Sequence, residues 1–292
     1  MGLLDGKVAI VTGAGNGVGR GEAIELADQG AKVVVNDLGV SVTGEGADKR
    51  TADEVVDVIK GRGGEAVANY DDVADFNGAK SIIDTAVEAF GKLDVLVNNA
   101  GIGGGGRHGR RETSADGHEL RFAVNYLAPF LLTHLLLPLL RRSAPARIVN
   151  VASVGQAPID FDDVMLQRGY DGFTAYRQSK LAQIMFTFEL AERLRAAGET
   201  GVTVNALHPA SLMPTKMVRE SFGYTMSTIA DGLEATRRLV IAPELDGVSG
   251  RYFDRLEEGR AEPQAYDPAA RRRLWQLSEE LVAAEAAARP ER

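Results

Sequence analysis

The chain has 292 residues, 45% of them apolar and 25% charged, ordinary globular values with room for a large buried core. A net charge of −8 excludes the basic footprint that nucleic acid or an anionic membrane surface requires of a partner. The lack of cysteine excludes disulfides, thiolate metal sites and a cysteine nucleophile, and suits a reducing cytoplasm.

In chain order, Lys7–Thr12 is the first expected strand, and Met1 leads into it too quickly for a signal peptide. The glycine-rich TGAGNGVG follows, then a helix near 17–29 and the strand Lys32–Asn36, which ends on Asp37. A Gly-bearing loop, Leu38–Lys49, runs into a helix near 47–61. Ala66–Asn69 is the third strand, 76–90 a helix and Leu93–Asn98 the fourth strand. Gly103–Arg111, GGGGRHGRR, has little to pack and is read as mobile.

A helix near 114–141 carries LAPFLLTHLLLPLL. That run is shorter than the ~18 to 20 residues of a membrane span, so it is read as buried in a core or subunit interface. Arg147–Ala152, a helix over 174–197, Val202–Leu207, a helix over 228–239 and Arg251–Phe253 complete the alternation. The tail from Glu257 ends in a helix over about 268–287, which caps the domain or touches a neighbouring subunit.

Short β-branched runs alternating with longer helical segments predict an α/β fold. The expected architecture is a single Rossmann-type doubly wound parallel sheet with helices on both faces. No Pro- or Ser-rich linker divides it. We read residues 1–256 as one cofactor-binding and catalytic domain and 257–292 as its helical extension.

Thr12-Gly13-x3-Gly17-x-Gly19 stands between a strand and a helix, where glycines let the backbone approach a pyrophosphate and the helix start offers free N–H groups. Asp37 closes the next strand. Its carboxylate can accept both adenosine ribose hydroxyls and repels a 2′-phosphate, which favours NAD over NADP; otherwise it is a solvated turn acid. Asp72 either receives the adenine amino group or caps a turn. In NNAG (98–101), Gly101 lets backbone come close to the cofactor, while Asn98 and Asn99 either share that edge or tie strands together.

Tyr176 and Lys180 lie four residues apart on one expected helix face, so phenol and ammonium project together. A phenol beside an ammonium is expected to lose its proton more readily than usual. Together with TGAGNGVG, NNAG, the Asn125 of AVNYL and the Ser153 of IVNVASVG, the YRQSK of 176–180 resembles the short-chain dehydrogenase/reductase family from about Lys7 to Phe253. The resemblance implies a hydride exchange with Tyr176 as acid/base, Lys180 holding the nicotinamide ribose and lowering the tyrosine pKa, Ser153 bonding the substrate oxygen and Asn125 supporting a proton path. It further implies a cofactor-binding set of Gly13, Asn16, Gly17, Val18, Gly19, Asp37, Asp72, Val73, Asn99, Ala100, Gly101, Tyr176, Lys180, Pro209 and Thr215.

The NDLG and GGEAVANYDDV stretches resemble the hydroxyacyl-CoA dehydrogenase part of multifunctional β-oxidation enzymes. ADGHELRFAVNYLAPFLLTHLLLP and SKLAQIMFTFELAERL resemble the retinol-dehydrogenase-like branch. The family's Pro-Gly after the sixth strand is Pro209-Ala210 here, and Thr215 lies one residue further along than usual. Two helices, 114–141 and 174–197, are expected to make the contacts of a homodimer or homotetramer.

The histidines 108, 118, 134 and 208 lack metal-ligand spacing, so no metal is expected. His208 either lines the pocket or satisfies local backbone. Arg107, Arg110 and Arg111 either clamp an anionic substrate or belong to a solvated loop. Leu212–Tyr224, with Met213, Met217, Phe222 and Tyr224, is either a hydrophobic lid or ordinary packing. The expected activity is NAD-dependent interconversion of a fairly apolar secondary alcohol and its ketone by a soluble, cytoplasmic enzyme. The rival is a non-catalytic NAD-binding regulator or scaffold on the same fold.

Overall fold

The apolar run Val8–Thr12 forms β1, every residue of it buried. Successive strand side chains point to opposite faces, so Val8 and Ile10 enter one core cluster and Ala9 and Val11 the other. The computed structural model that shows this describes residues 2–39, 50–104, 110–221 and 223–287. The further strands are β2 (Lys32–Asn36), β3 (Glu65–Asn69), β4 (Val95–Asn98), β5 (Ala146–Val151), β6 (Val202–His208), β7 (Tyr252–Asp254) and β8 (Glu257–Glu258). They lie in the order β3-β2-β1-β4-β5-β6-β7-β8, with β7 and β8 antiparallel and the other neighbours parallel. The strand order reverses between β1 and β4, the kind of switch point where open α/β sheets gather ligands.

The helices are α1 (Gly17–Asp28), α2 (Arg50–Gly61), α3 (Phe76–Phe90), α4 (Leu120–Phe122), α5 (Ala128–Arg142), α6 (Gly172–Ala196), α7 (Lys216–Ser221), α8 (Ile229–Ile241) and α9 (Pro268–Ala287). One face of the sheet packs with α1, α2 and α8, the other with α3, α5 and α6. The π turn Ala123–Leu127 joins α4 to α5. Leu120–Arg142 is long and apolar enough to cross a membrane by composition, but most of it is buried inside the protein.

The helix expected from residue 114 starts at Leu120 instead. Ser114 N–H donates to His118 O and Gly117 N–H to Ser114 O, a tight turn that Gly117 closes at φ +85°. Glu119 then caps the helix by accepting from Phe122 N. Sequence reading also missed β8 and α7. The expected loops 38–49 and 103–111 and the start of the helix at 47 fall in part outside the described residues, as do Arg107, His108 and Phe222.

α9 spans the length expected of it and lies on α6. Trp275 meets Phe130 of α5 at 5.2 Å and Phe186 of α6 at 5.9 Å, with the Arg193 guanidinium 4.1 Å from its ring centre. Tyr126 and Ser278 share a hydroxyl bond of 2.6 Å. The aromatic face of the two helices expected to make subunit contacts is therefore occupied by the chain's own tail.

Candidate active site

The site is built where β1, β2, β4, β5 and β6 end. Gly13 and Gly17 adopt φ +63° and +57°, a region that side-chain-bearing residues rarely enter. A Cβ on Gly13 would come within 2.7 Å of Ala100 Cα, and one on Gly19 would overlap Gly13 O and Asn99 Nδ2. The turn is tied to β4 from beyond its end: Asn99 Nδ2 donates to Thr12 O (2.9 Å) and Gly13 O (3.1 Å). Thr12 Oγ1 in turn accepts from the N–H groups of Asn99 and Ala100. Asn99 and Ala100, placed in the cofactor set, therefore shape the turn itself.

Asn16 precedes α1 in an extended conformation, makes no side-chain cap bond, and no acid stands in the first helical turn. The first N–H groups of α1 therefore have no side-chain cap among the described residues, and such a donor set suits a pyrophosphate. Asp37 leans over this turn, its Oδ2 accepting from Gly15 N and its Oδ1 from Gly39 N, both at 2.7 Å. Gly15 was not singled out in the sequence. Its signal lay in the same motif, since a Cβ there would press on Asp37 Cγ at 2.7 Å. The glycine cradle, the open helix start and the oriented carboxylate fit an adenine dinucleotide.

Asp72 Oδ1 accepts from Ala74 N at 2.8 Å, a turn bond of its own, and burial raises its carboxyl pKa. Val73 buries its side chain in the core cluster on the α3 side. Asn98 is a strand tie: its Nδ2 donates to Asn150 Oδ1 at 2.8 Å across the β4–β5 register, as Asn36 does to Asn69 between β2 and β3.

Asp171 starts α6 by accepting from Thr174 N, and this fixes the phase of the helix. Tyr176 follows, half-buried, and Lys180 one turn later, buried. Ser153, past the end of β5, hydrogen-bonds the Tyr176 side chain, and its Oγ accepts from Gly155 N at 3.0 Å. Lys180 Nζ donates to Val151 O at 2.7 Å and to Gln183 Oε1 at 3.3 Å.

Asn125 sits on the π turn, fully buried. Its Oδ1 accepts from Ile102 N, and its Nδ2 donates to Ile102 O and to Ser179 Oγ, which donates on to Tyr176 O. A Cβ on Gly101 would lie 3.2 Å from Asn125 Oδ1 and 3.5 Å from Lys180 Nζ, so the missing side chain lets these groups converge. The structure thus brings the four expected catalytic residues together.

One expectation about their chemistry is corrected. Burial raises the Tyr176 pKa, opposed by its bond with Ser153, and burial lowers Lys180 to about 8. Loss of water is the larger influence on the phenol, and Ser153, not the ammonium, is the group that opposes it.

After β6, Pro209 is buried and Thr215 lies over the glycine turn, its Cγ2 3.4 Å from where a Gly17 Cβ would be. Met213 packs with Val18 and Ala210, so this methionine of the expected lid is a packing residue, whereas Tyr224 is exposed. His208 Nε2 meets Ser211 Oγ at 3.0 Å and its carbonyl accepts from Arg255 N, the local reading of that residue. Arg111 Nε donates to Met165 O, a loop-to-loop tie. Tyr252, which the sequence reading passed over, donates its hydroxyl to Ser153 O at 3.2 Å. A groove of about 530 Å³ between the end of α6 and β7–β8 contains none of the expected site residues.

Comparisons with known proteins agree with this geometry. Residues 7–223 match the family described as short chain dehydrogenase. The chain is 36% identical to retinol dehydrogenase 14 of Homo sapiens, covering 96% of this chain and 88% of that protein. Retinol dehydrogenase 13 of Homo sapiens is also 36% identical, with 97% and 86% covered. An uncharacterized protein from Mycobacterium Paratuberculosis superposes with a TM-score of 0.76 at 27% identity, covering 96% of this chain and 94% of that one. A 7α-hydroxysteroid dehydrogenase complexed with NADH and 7-oxo glycochenodeoxycholic acid gives 0.69 at 27% identity, covering 89% and 96%. With a family model matched over most of its length and relatives above 30% identity along nearly all of it, the chain belongs to the short chain dehydrogenase family of NAD(P)(H)-dependent oxidoreductases.

Proposed function

We propose that the protein interconverts a fairly apolar secondary alcohol and its ketone, using NAD, with Tyr176 as the acid/base. The observation that carries this reading is the pairing of Ser153 and Tyr176 at the end of β5, with Lys180 and the bare Gly101 beside them. The nicotinamide, when bound, supplies or takes up the hydride. Tyr176 moves the proton at the substrate oxygen, a task for which a protonated phenol suits the reductive direction. Ser153 Oγ accepts from Gly155 N, which leaves its hydroxyl hydrogen directed at the Tyr176 oxygen, where a substrate oxygen would share it as charge develops there. Lys180 and Asn125 hold the ribose side and the proton path.

Asp37 supports NAD over NADP, because its oriented carboxylate would meet a 2′-phosphate with like charge. The names of the retinol dehydrogenases and the steroid ligand of the solved neighbour support an apolar substrate. The likeness to hydroxyacyl-CoA dehydrogenases falls mostly on the cofactor side and adds nothing on substrate. A cytoplasmic location without a membrane partner belongs to the same proposal, supported by the burial of Leu120–Arg142. So does a homodimer or homotetramer, which we assign to surfaces other than the face covered by α9.

The experiment is a panel of apolar alcohols and ketones assayed with both nucleotides. Tyr176→Phe is expected to keep NAD binding and lose turnover by roughly 10²- to 10⁴-fold. Asp37→Ala is expected to weaken NAD more than NADP. NAD binding by the intact protein with no turnover across the panel would favour the regulator or scaffold instead.

A further inference from the structure

Gln183 stands three residues beyond Lys180 on α6 and is fully buried. Its Oε1 accepts from Lys180 Nζ at 3.3 Å, while its Nε2 has no hydrogen-bond partner among the described residues. A buried amide with an unmade donor bond is destabilising, and a methionine would fill nearly the same volume without that penalty. Turning the amide end for end would set Nε2 against an ammonium, donor against donor. The orphaned N–H₂ is therefore the consequence of aiming the carbonyl oxygen at Lys180.

Among the described residues no carboxylate bonds Lys180. Of these residues, His208 at the end of β6 interacts electrostatically with Lys180, and Tyr176 stands four residues before that lysine on the same helix. Burial keeps His208 neutral, with a pKa near 4, despite Asp254 beyond it; Arg255 adds to the lowering. What holds the ammonium is two neutral carbonyl groups, Val151 O at 2.7 Å and Gln183 Oε1.

We propose that Gln183 is a positioning residue whose side-chain carbonyl, together with Val151 O, fixes the Lys180 ammonium and sets the pH at which it loses its charge. The link to turnover rests on Lys180 belonging to the proposed acid/base set; the positioning itself does not.

The test separates the two. Lysine titration is followed by NMR on the full chain with ¹³C-labelled lysine and no added nucleotide, the Lys180 signal being assigned with Lys180→Met. Gln183→Met removes the acceptor and is expected to lower the Lys180 midpoint by about one pH unit. Gln183→Glu places a carboxylate there and is expected to raise it. A purely structural role would damage both variants alike, so midpoints that stay put or move in the same direction overturn the proposal. If the Glu variant does not fold, the Met variant decides alone, and an unmoved midpoint refutes it. Opposite shifts that turnover profiles follow support both readings. Opposite shifts with unmoved profiles support the positioning and reject a catalytic Lys180.

Discussion

The glycine turn after β1 and the seam beneath α9 are both densely packed, but from opposite materials. The turn is held by backbone: two glycines at positive φ, Asn99 bonded to two carbonyls, and Asp37 bonded to two N–H groups. The seam is held by side chains, with Trp275, Phe130, Phe186 and His134 in mutual ring contact. A backbone-built region has no place for an added Cβ, whereas a ring-built region suffers most from lost volume. The proposed cofactor site sits in the first, where main-chain N–H groups have few ways to move. The second holds none of the residues proposed for the chemistry.

The largest expected effect breaks the seam. Trp275→Ala should lower unfolding free energy by about 3–5 kcal/mol, as deletion of large core aromatics does. Thermal and urea unfolding measure it, and the NAD affinity of the still-folded variant should be unchanged within a factor of about two. A folded variant that no longer binds NAD would mean the two regions are coupled. Next comes Gly19→Ala, whose methyl would strike Gly13 O and Asn99 Nδ2. Overpacking of this kind costs about 1–3 kcal/mol in stability. Here calorimetry should show NAD affinity falling at least about tenfold, the equivalent of ~1.4 kcal/mol lost in binding. A stable variant with undiminished affinity would remove the backbone account of the turn.

What the sequence disclosed follows the same division. The strands of the sheet's centre were legible because burial on both faces forces continuous apolar runs, as in VAIVT of β1. The cofactor turn was legible because a backbone requirement leaves one residue type, glycine, at fixed spacing. Tyr176 and Lys180 were legible because a helix sets their phase. Gly15 was overlooked because its constraint comes from Asp37, on the far side of a helix and a strand. β8 was invisible because Glu257 and Glu258 are exposed and carry no apolar pattern. The covering of α5 and α6 by α9 depends on Trp275 reaching Phe130, a contact across half the chain that periodicity does not report. The direction of the Tyr176 pKa was misjudged because spacing shows a neighbouring charge but not the removal of water.

Glu22 tests the boundary between the two kinds of construction, and its effect is a slope rather than a loss. It lies three residues past Gly19 in α1, buried, with Oε1 accepting from Thr236 Oγ1 of α8 at 2.7 Å and Oε2 without a partner among the described residues. Burial raises its pKa from 4.5 to about 7, with the Thr236 bond opposing. The folded state therefore holds a proton that the unfolded chain releases between these two values. Stability from this group is full below about pH 4.5 and is lost as pH rises through about 7. Glu22→Gln removes the titration but keeps the shape, so the wild-type minus variant difference in urea-derived stability should fall across that window and level off above it. A flat difference would show that water or a local rearrangement solvates the carboxylate. α1 and α8 would then meet more loosely under the glycine turn than the packing of Thr236 on Glu22 implies.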